Sequence, residues 1–365
     1  MALCAVIGSL TRPAPHFAAA NGEGVSLCLF DDATGALERI GAPLRLEDST
    51  WLVAAPAQQR VYAVTDCDDG RQSAVAALSV NAAEGVLTLI STQPAGGSDG
   101  CHASLSSDKA ALFVANYGGH RTTGPDFGVA IVPLDATGVE PASFRLRHEG
   151  HGPNTARQES PHAHCVLPSP DGRFLFVADL GIDQLVAYAL DGAQPVRRPA
   201  LDVSFPAGLG PRHFLFSADG RFVYVVSELI PTVVALSYDG ATGVMRELAS
   251  IAIPAPAGGA LQPAGIVVHP DGRHLFVSLR LSEEILVLAI DPATGIPAIS
   301  SRHDAGGRTP RDLTVSPSGR HLLVANQDSD CVSVFAIDPA SAALSGPVSR
   351  LAIGTPMAVV LANFA

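Results

Sequence analysis

One grammar recurs along this chain, and its period restricts what the chain can fold into. An apolar strand runs into an Asp/Asn-rich turn, often Thr-Gly, as CLFDDATG ending at Gly35, LSVNAAEG at Gly85, VPLDATG at Gly138, ALDG at Gly192, LSYDGATG at Gly243, AIDPATG at Gly295 and FAIDPASA at Ala342. The first six markers are spaced by 50, 53, 54, 51 and 52 residues. Seven such markers in 365 residues make a period of about 52. Repeats of this length are supersecondary units that bury their apolar faces only against neighbouring copies.

Within each unit the fullest statement is SPHAHCVLPSPDGRFLFVADLGIDQLVAYALD, from Ser160 to Asp191. It returns as GPRHFLFSADGRFVYVVSEL from Gly210, QPAGIVVHPDGRHLFVSLR from Gln262 and TPRDLTVSPSGRHLLVANQ from Thr309. Each copy reads as short β-branched and aromatic strands joined by Asp, Gly and Pro turns, about four strands per unit. No stretch reads as a long amphipathic helix. Seven four-stranded units predict an all-β fold, a seven-bladed β-propeller occupying residues 1–365 as one domain. GTPMAVVLANFA from Gly354 matches the first strand of a unit, and CAVIGSL near the N-terminus matches the second. The two termini are therefore expected to share a blade and close the ring, leaving neither as an open edge.

A formal net charge of −12 argues against a nucleic-acid partner, whose phosphates require a basic footprint. No run of 18 uninterrupted apolar residues suggests a membrane span, and MALCAVIGSLTRPAPHF lacks the basic start of a signal peptide. The six cysteines, Cys4, Cys28, Cys67, Cys101, Cys165 and Cys331, contain no close CxxC pair and are expected as reduced thiols. These features point to the cytoplasm, with no obligate protein partner implied.

Propeller topology separates scaffold from site. The start of a first strand and the end of a second lie on one face, and the turn between them lies on the other. Asp171, Arg173, Asp271 and Arg273 in the PDG-type turns are thus expected to be structural. The shared rim collects His102, His162, His164, Arg212, His213, Arg311 and Asp312 from first strands. Second-strand ends add Asp66, Asn116, Tyr117, Asp179, Glu228, Arg280, Asn326 and Asp328. Two long connections, one following Asn116 and one over residues 147–159, are expected to rise over the same face. Arginines from successive blades suit carboxylate, phosphate or oxyanion oxygens. Histidine suits proton transfer near neutral pH. Glu228 reads equally as a general base or as a carboxylate clamping Arg212. A metal held by His162, His164 and Glu228 is the weaker alternative, so neither cofactor nor metal is expected. G-x-S-x-G, Rossmann and P-loop signatures are absent. What remains is acid/base and electrostatic chemistry on an activated ester such as a lactone.

The segments SPHAHCVLPSPDGRFLFVADLGIDQLVAY, GPRHFLFSADGRFVYVVSEL and TPRDLTVSPSGRHLLVAN resemble the seven-bladed propeller lactonase family, which includes bacterial 6-phosphogluconolactonase and the fungal 3-carboxy-cis,cis-muconate lactonising enzyme. The resemblance implies catalytic roles for His164 in PHAH, Arg212 in GPRH, Glu228 in VSEL and Arg280 in VSLR. It implies a small anionic substrate, 6-phosphoglucono-1,5-lactone of the pentose phosphate pathway, with another sugar-acid or carboxymuconate lactone as the alternative. Substrate contacts are then expected from His102, Asn116, His162, Asp179, His213, Arg311 and Asn326, with His102, Arg121 or Arg311 meeting a phosphate. A non-catalytic interaction scaffold is the reading from a different class.

Overall fold

The computed structural model describes residues 2–13, 20–65, 73–118, 127–190, 194–256 and 258–365. Asp66, Cys67 and Arg121 lie outside the described residues. Seven antiparallel sheets follow one another around a ring, with short 3-10 turns as the only helical segments among the described residues. None of those segments is long and apolar enough to cross a membrane.

Blade 1 is ordered Leu37–Arg39, Val25–Phe30, Ala2–Ser9, Pro356–Phe364, so the C-terminal strand is innermost and the N-terminal strand lies next to it. The expected closure is observed. Pro356–Phe364 pairs with Ala2–Ser9 along its whole length and packs Ala358, Ala362 and Phe364 against Leu52, Val61 and Leu78 of blade 2. Each large apolar side chain buried in this way is worth roughly 1.5–3 kcal/mol, against a net stability of about 5–15 kcal/mol for a typical domain. Removing residues 354–365 is therefore expected to abolish the cooperative thermal transition followed by circular dichroism. A truncated protein melting within a few degrees of the full chain would contradict closure through this strand.

The markers that set the period have a packing reason. Gly243 and Gly295 hold φ of +78° and +73°, and a Cβ there would come within 2.8 Å and 2.3 Å of the Phe174 and Phe222 rings of the preceding blades. Only glycine offers both the left-handed backbone and the space for the neighbour's ring. The PDG turns are braced by hydrogen bonds within the hairpin. Asp171 accepts hydrogen bonds from Ser169 Oγ and Arg173 Nε, both at 2.6 Å, and Asp271 accepts one from the Arg273 backbone N–H at 2.7 Å.

A β-bulge opens the innermost strand of every blade. The ladder slips between Ser49 and Trp51, Gly100 and His102, Ala163 and Cys165, Pro211 and His213, Pro263 and Ile266, and Pro310 and Asp312, with a matching slip opposite Gly8/Ser9. An extra residue leaves the pairing at each slip and is re-aimed relative to its neighbours.

Candidate active site

The re-aimed residues converge. Thr50, Cys101, His164, Arg212, Arg311 and Met357, one from each blade except blade 6, line a cavity of about 340 Å3 at the mouth of the channel. In blade 6 the bulge holds Ala264 and Gly265, and the blade contributes Gln262 and Arg280 instead. Residues 147–159 pass over the same opening and add Ala156, Arg157 and Glu159. A volume of this size suits a small molecule.

Glu228 is the electrostatic centre. It is 4% exposed. Its Oε1 accepts from Arg157 at 2.6 Å and Gln262 at 3.2 Å, and its Oε2 accepts from Arg212 at 3.0 Å and Arg280 at 2.7 Å. Four donors fill the acceptor capacity of one carboxylate. Burial favours the protonated form of Glu228, but Arg280, Arg212 and Arg157 override it and hold the carboxyl pKa well below its usual range. Arg157 is held above its usual value: burial works against its charge, and Glu228 more than compensates. Arg212 and Arg311 are pushed down to about 10 and about 9 by burial and by the neighbouring guanidiniums. Arg157, Arg212, Arg280 and Arg311 share the cavity with three carboxylates, Asp99, Glu159 and Glu228, so guanidiniums outnumber carboxylates by one.

Histidines form the opposite wall. His164 packs edge-on to Tyr117 and His213, with ring centroids at 5.4 and 5.2 Å. Burial first, and Arg212 second, hold His164 and His213 well below the ordinary imidazole value, so both are neutral at pH 7. Arg212 donates to His213 Nε2 at 3.2 Å, which leaves that ring's proton on Nδ1. His162 stacks on Tyr117 at 4.4 Å and donates from Nδ1 to the Tyr117 carbonyl at 2.7 Å. His164 Nδ1 and Arg280 Nε are buried without hydrogen-bond partners. Unsatisfied buried polarity is uncommon in folded proteins, and here two instances fall at one site.

Of the described residues singled out by sequence, Tyr117, His162, His164, Arg212, His213, Glu228, Arg280 and Arg311 line the cavity. Six others do not. Asp312 accepts the Val359 N–H and Asp328 the Thr309 hydroxyl. Asn116 donates to the carbonyls of Ala95 and Phe127, and Asn326 to the Ala305 carbonyl and Ser333 Oγ. Asp179 accepts from the backbone of His162 and Gly181 and faces His148 Nδ1 at 2.6 Å. Asn116, Asp179 and Asn326 are the last residues of their second strands, whereas Tyr117, Glu228 and Arg280 stand one position further on. One position reverses the side a strand residue faces, so the first set braces inter-blade connections and the second reaches the cavity. His102 sits behind the wall against Trp51, where its Nδ1 accepts the Val166 N–H and its Nε2 meets Cys165 Sγ. A metal at His162, His164 and Glu228 would have to displace one of these donors, because every Glu228 lone pair is engaged by a cationic or amide donor.

Sequence reasoning missed Arg157, Glu159, Gln262, Thr50, Trp51, Asp99 and Met357 as lining residues. Arg157 lies in a connection outside the repeat, where periodicity has nothing to say. Its charge in a loop already expected over the rim was the available signal.

The family described as Lactonase, 7-bladed beta-propeller matches residues 4–361. A structure titled as the Pseudomonas aeruginosa periplasmic gluconolactonase superimposes with TM-score 0.88 at 30% identity, covering 100% of both chains. A Bacteroides fragilis structure superimposes equally well, TM-score 0.88, at 25% identity over 99% of this chain and 98% of that one. Among curated relatives, the 6-phosphogluconolactonase of Bacillus subtilis is 29% identical over 196 residues, 53% of this chain and 52% of its own. The chain spans about half the length of the curated relatives it matches. Matched from its first blade to its last, the chain belongs to the seven-bladed β-propeller lactonase family.

Proposed function

We propose that this protein is a lactone hydrolase whose substrate is an anionic sugar lactone, 6-phosphoglucono-1,5-lactone first among them. The observation that carries the reading is the surplus of guanidinium charge beside neutral histidines in one small cavity. Water adds to the lactone carbonyl carbon, and Arg212 and Arg280 stabilise the oxyanion as it develops. His164, neutral and open to protonation, takes the proton released by that water. The C–O bond of the ring then breaks, the ring oxygen receives a proton, and the product is the open hydroxy acid. Arg212 is what depresses His164 most after burial, so an anionic substrate that offsets the guanidinium charge strengthens His164 as a base. Arg311 stands at the same cavity and is the residue we assign to the phosphate. Thr50, Trp51 and Met357 give blades 1 and 2 a less charged wall, which orients the anionic end toward blades 5–7.

The chemistry includes no step needing a cofactor. The five described cysteines form no disulfide, which fits a reducing compartment. We accordingly place the protein in the cytoplasm, unlike the Pseudomonas relative, a periplasmic gluconolactonase. The test is turnover of phosphorylated and unphosphorylated gluconolactone, each corrected for spontaneous hydrolysis. The phosphorylated substrate is expected to be favoured by at least about 100-fold in kcat/KM, the equivalent of about 2.7 kcal/mol of charge-assisted contact. R311A should remove most of that preference while leaving the neutral lactone unaffected. Equal turnover of the two would replace phosphate with a neutral substrate, and no turnover above background for either would overturn lactone hydrolysis itself.

A further inference from the structure

On the face opposite the cavity, the turn joining Pro263–Val268 to His274–Leu279 departs from its counterparts. In blades 3, 4 and 5 the turn opens with a serine whose hydroxyl bonds an Asp two residues on and accepts the backbone N–H five residues on. The sets are Ser106, Asp108 and Ala111; Ser169, Asp171 and Phe174; and Ser217, Asp219 and Phe222. Blade 7 uses Ser316 in the same place. Blade 6 alone among these has His269 in place of the serine, with Asp271 and His274 completing the set. The hairpin closes in four blades without a histidine at the serine position, so the turn does not require one, although His269 Nδ1 accepts the Asp271 N–H within it.

We propose that His269, Asp271 and His274 bind a divalent transition-metal ion of the zinc class. Their ligand atoms all lie within 4.8 Å of one another, and this is the one such cluster found among the described residues. The hydrogen bonds of His269 give the second argument. Its Nε2 lies 2.8 Å from the Gly319 carbonyl of blade 7, which only accepts, so Nε2 carries the proton. The neutral ring then presents a lone pair at Nδ1, which accepts the Asp271 backbone N–H at 3.2 Å, while the same Nδ1 lies 2.9 Å from Asp271 Oδ1, another acceptor. Two acceptors at that distance require a cation between them. His274 Nδ1 faces the other carboxylate oxygen at 2.9 Å. A backbone carbonyl that fixes the far nitrogen of a histidine is the arrangement that orients metal-bound imidazoles. Both imidazoles are 11% exposed and the carboxylate 29%, so the donors are held in place while one side remains open to solvent and an entering ion. Two imidazoles and one carboxylate suit Zn2+ and its first-row neighbours over Mg2+ or Ca2+, which prefer oxygen donors. Donors at about 2.0–2.1 Å from a tetrahedral ion stand roughly 3.3 Å apart, so the widest pair closes by at most about 1.5 Å.

The experiment titrates Zn2+ into the full chain at pH 7.5 by isothermal calorimetry, alongside H269S/H274A, which recreates the serine and alanine of blade 3. The wild-type protein is expected to bind one equivalent that the double variant binds at least tenfold more weakly, with its lactone turnover unchanged. Loss of that equivalent as the pH falls through the histidine range should accompany it, because protons compete for the same lone pairs. No Zn2+ bound by wild type, or equal binding by the folded double variant, would overturn the proposal. In the first case the cation between His269 and Asp271 is a proton.

Discussion

Replacing Glu228 with Gln is expected to lower kcat for lactone opening by about 100- to 1000-fold while leaving the acidic limb of the pH–rate profile in place. The limb stays because the group that must be deprotonated is His164, and H164N should be the variant that removes it. Glu228 is poorly suited to general-base work, because its oxygens are already filled by Arg157, Gln262, Arg212 and Arg280, whereas His164 Nδ1 has no partner. The role left to Glu228 is to hold three guanidiniums in one geometry, and losing its charge sets those cations against one another. Removing one partner from a buried ionic cluster costs about 3–5 kcal/mol, so E228Q is also expected to unfold at lower denaturant. E228D retains the charge and serves where E228Q proves too unstable to assay. The readout is kcat and kcat/KM from pH 5 to 9. An E228Q protein with unchanged KM and no acidic limb would make Glu228 the base and sink the clamp.

Stability is expected to fall steeply between pH 6.5 and 5. His102, His164 and His213 are buried and hold their imidazoles below the ordinary value, His102 at about 3. Above about pH 6.5 neither the folded nor the unfolded chain protonates them, and they contribute no slope. Below it the unfolded chain binds protons that the folded chain cannot, so each histidine removes up to about 1.4 kcal/mol per pH unit. Asp312 acts in the opposite sense, because burial raises it to about 6 in the folded state. Folding therefore gains from Asp312 as pH falls through 6 toward the unfolded carboxylate value. Three histidines against one carboxylate leave a net loss of roughly 4–5 kcal/mol between pH 7.5 and 5. Urea unfolding at the two values checks it. H102Q should flatten the slope by about one proton, and a stability unchanged between pH 7.5 and 5 would contradict neutral burial of the trio.

The repeat made the fold legible because it reports a packing requirement. Gly243 and Gly295 recur where a neighbouring aromatic ring needs room, so the markers count blades directly. The terminal strands were legible for the same reason, each carrying the pattern of the place it fills in blade 1. The rim was legible only as a neighbourhood. Asn116, Asp179 and Asn326 share with Glu228 and Arg280 a place near a second-strand end, and the difference of one position that turns them away from the cavity rests on where each strand stops pairing.

The sequence by itself determined seven units, their strand order, the shared closing blade and the face that gathers ionisable residues. All of these follow from local pattern and from apolar faces that only a neighbouring unit can cover. Tertiary structure decided which of those residues meet. The slips that turn Thr50, Cys101, His164, Arg212, Arg311 and Met357 into the channel are set by inter-strand pairing, which no single strand's alternation reveals. It also carried Arg157, 71 positions from Glu228 in the chain, to a 2.6 Å contact with it. Closing the ring is what made Glu228 the counter-charge of three arginines, and that enclosure, absent from any one blade, holds the neighbouring histidines neutral.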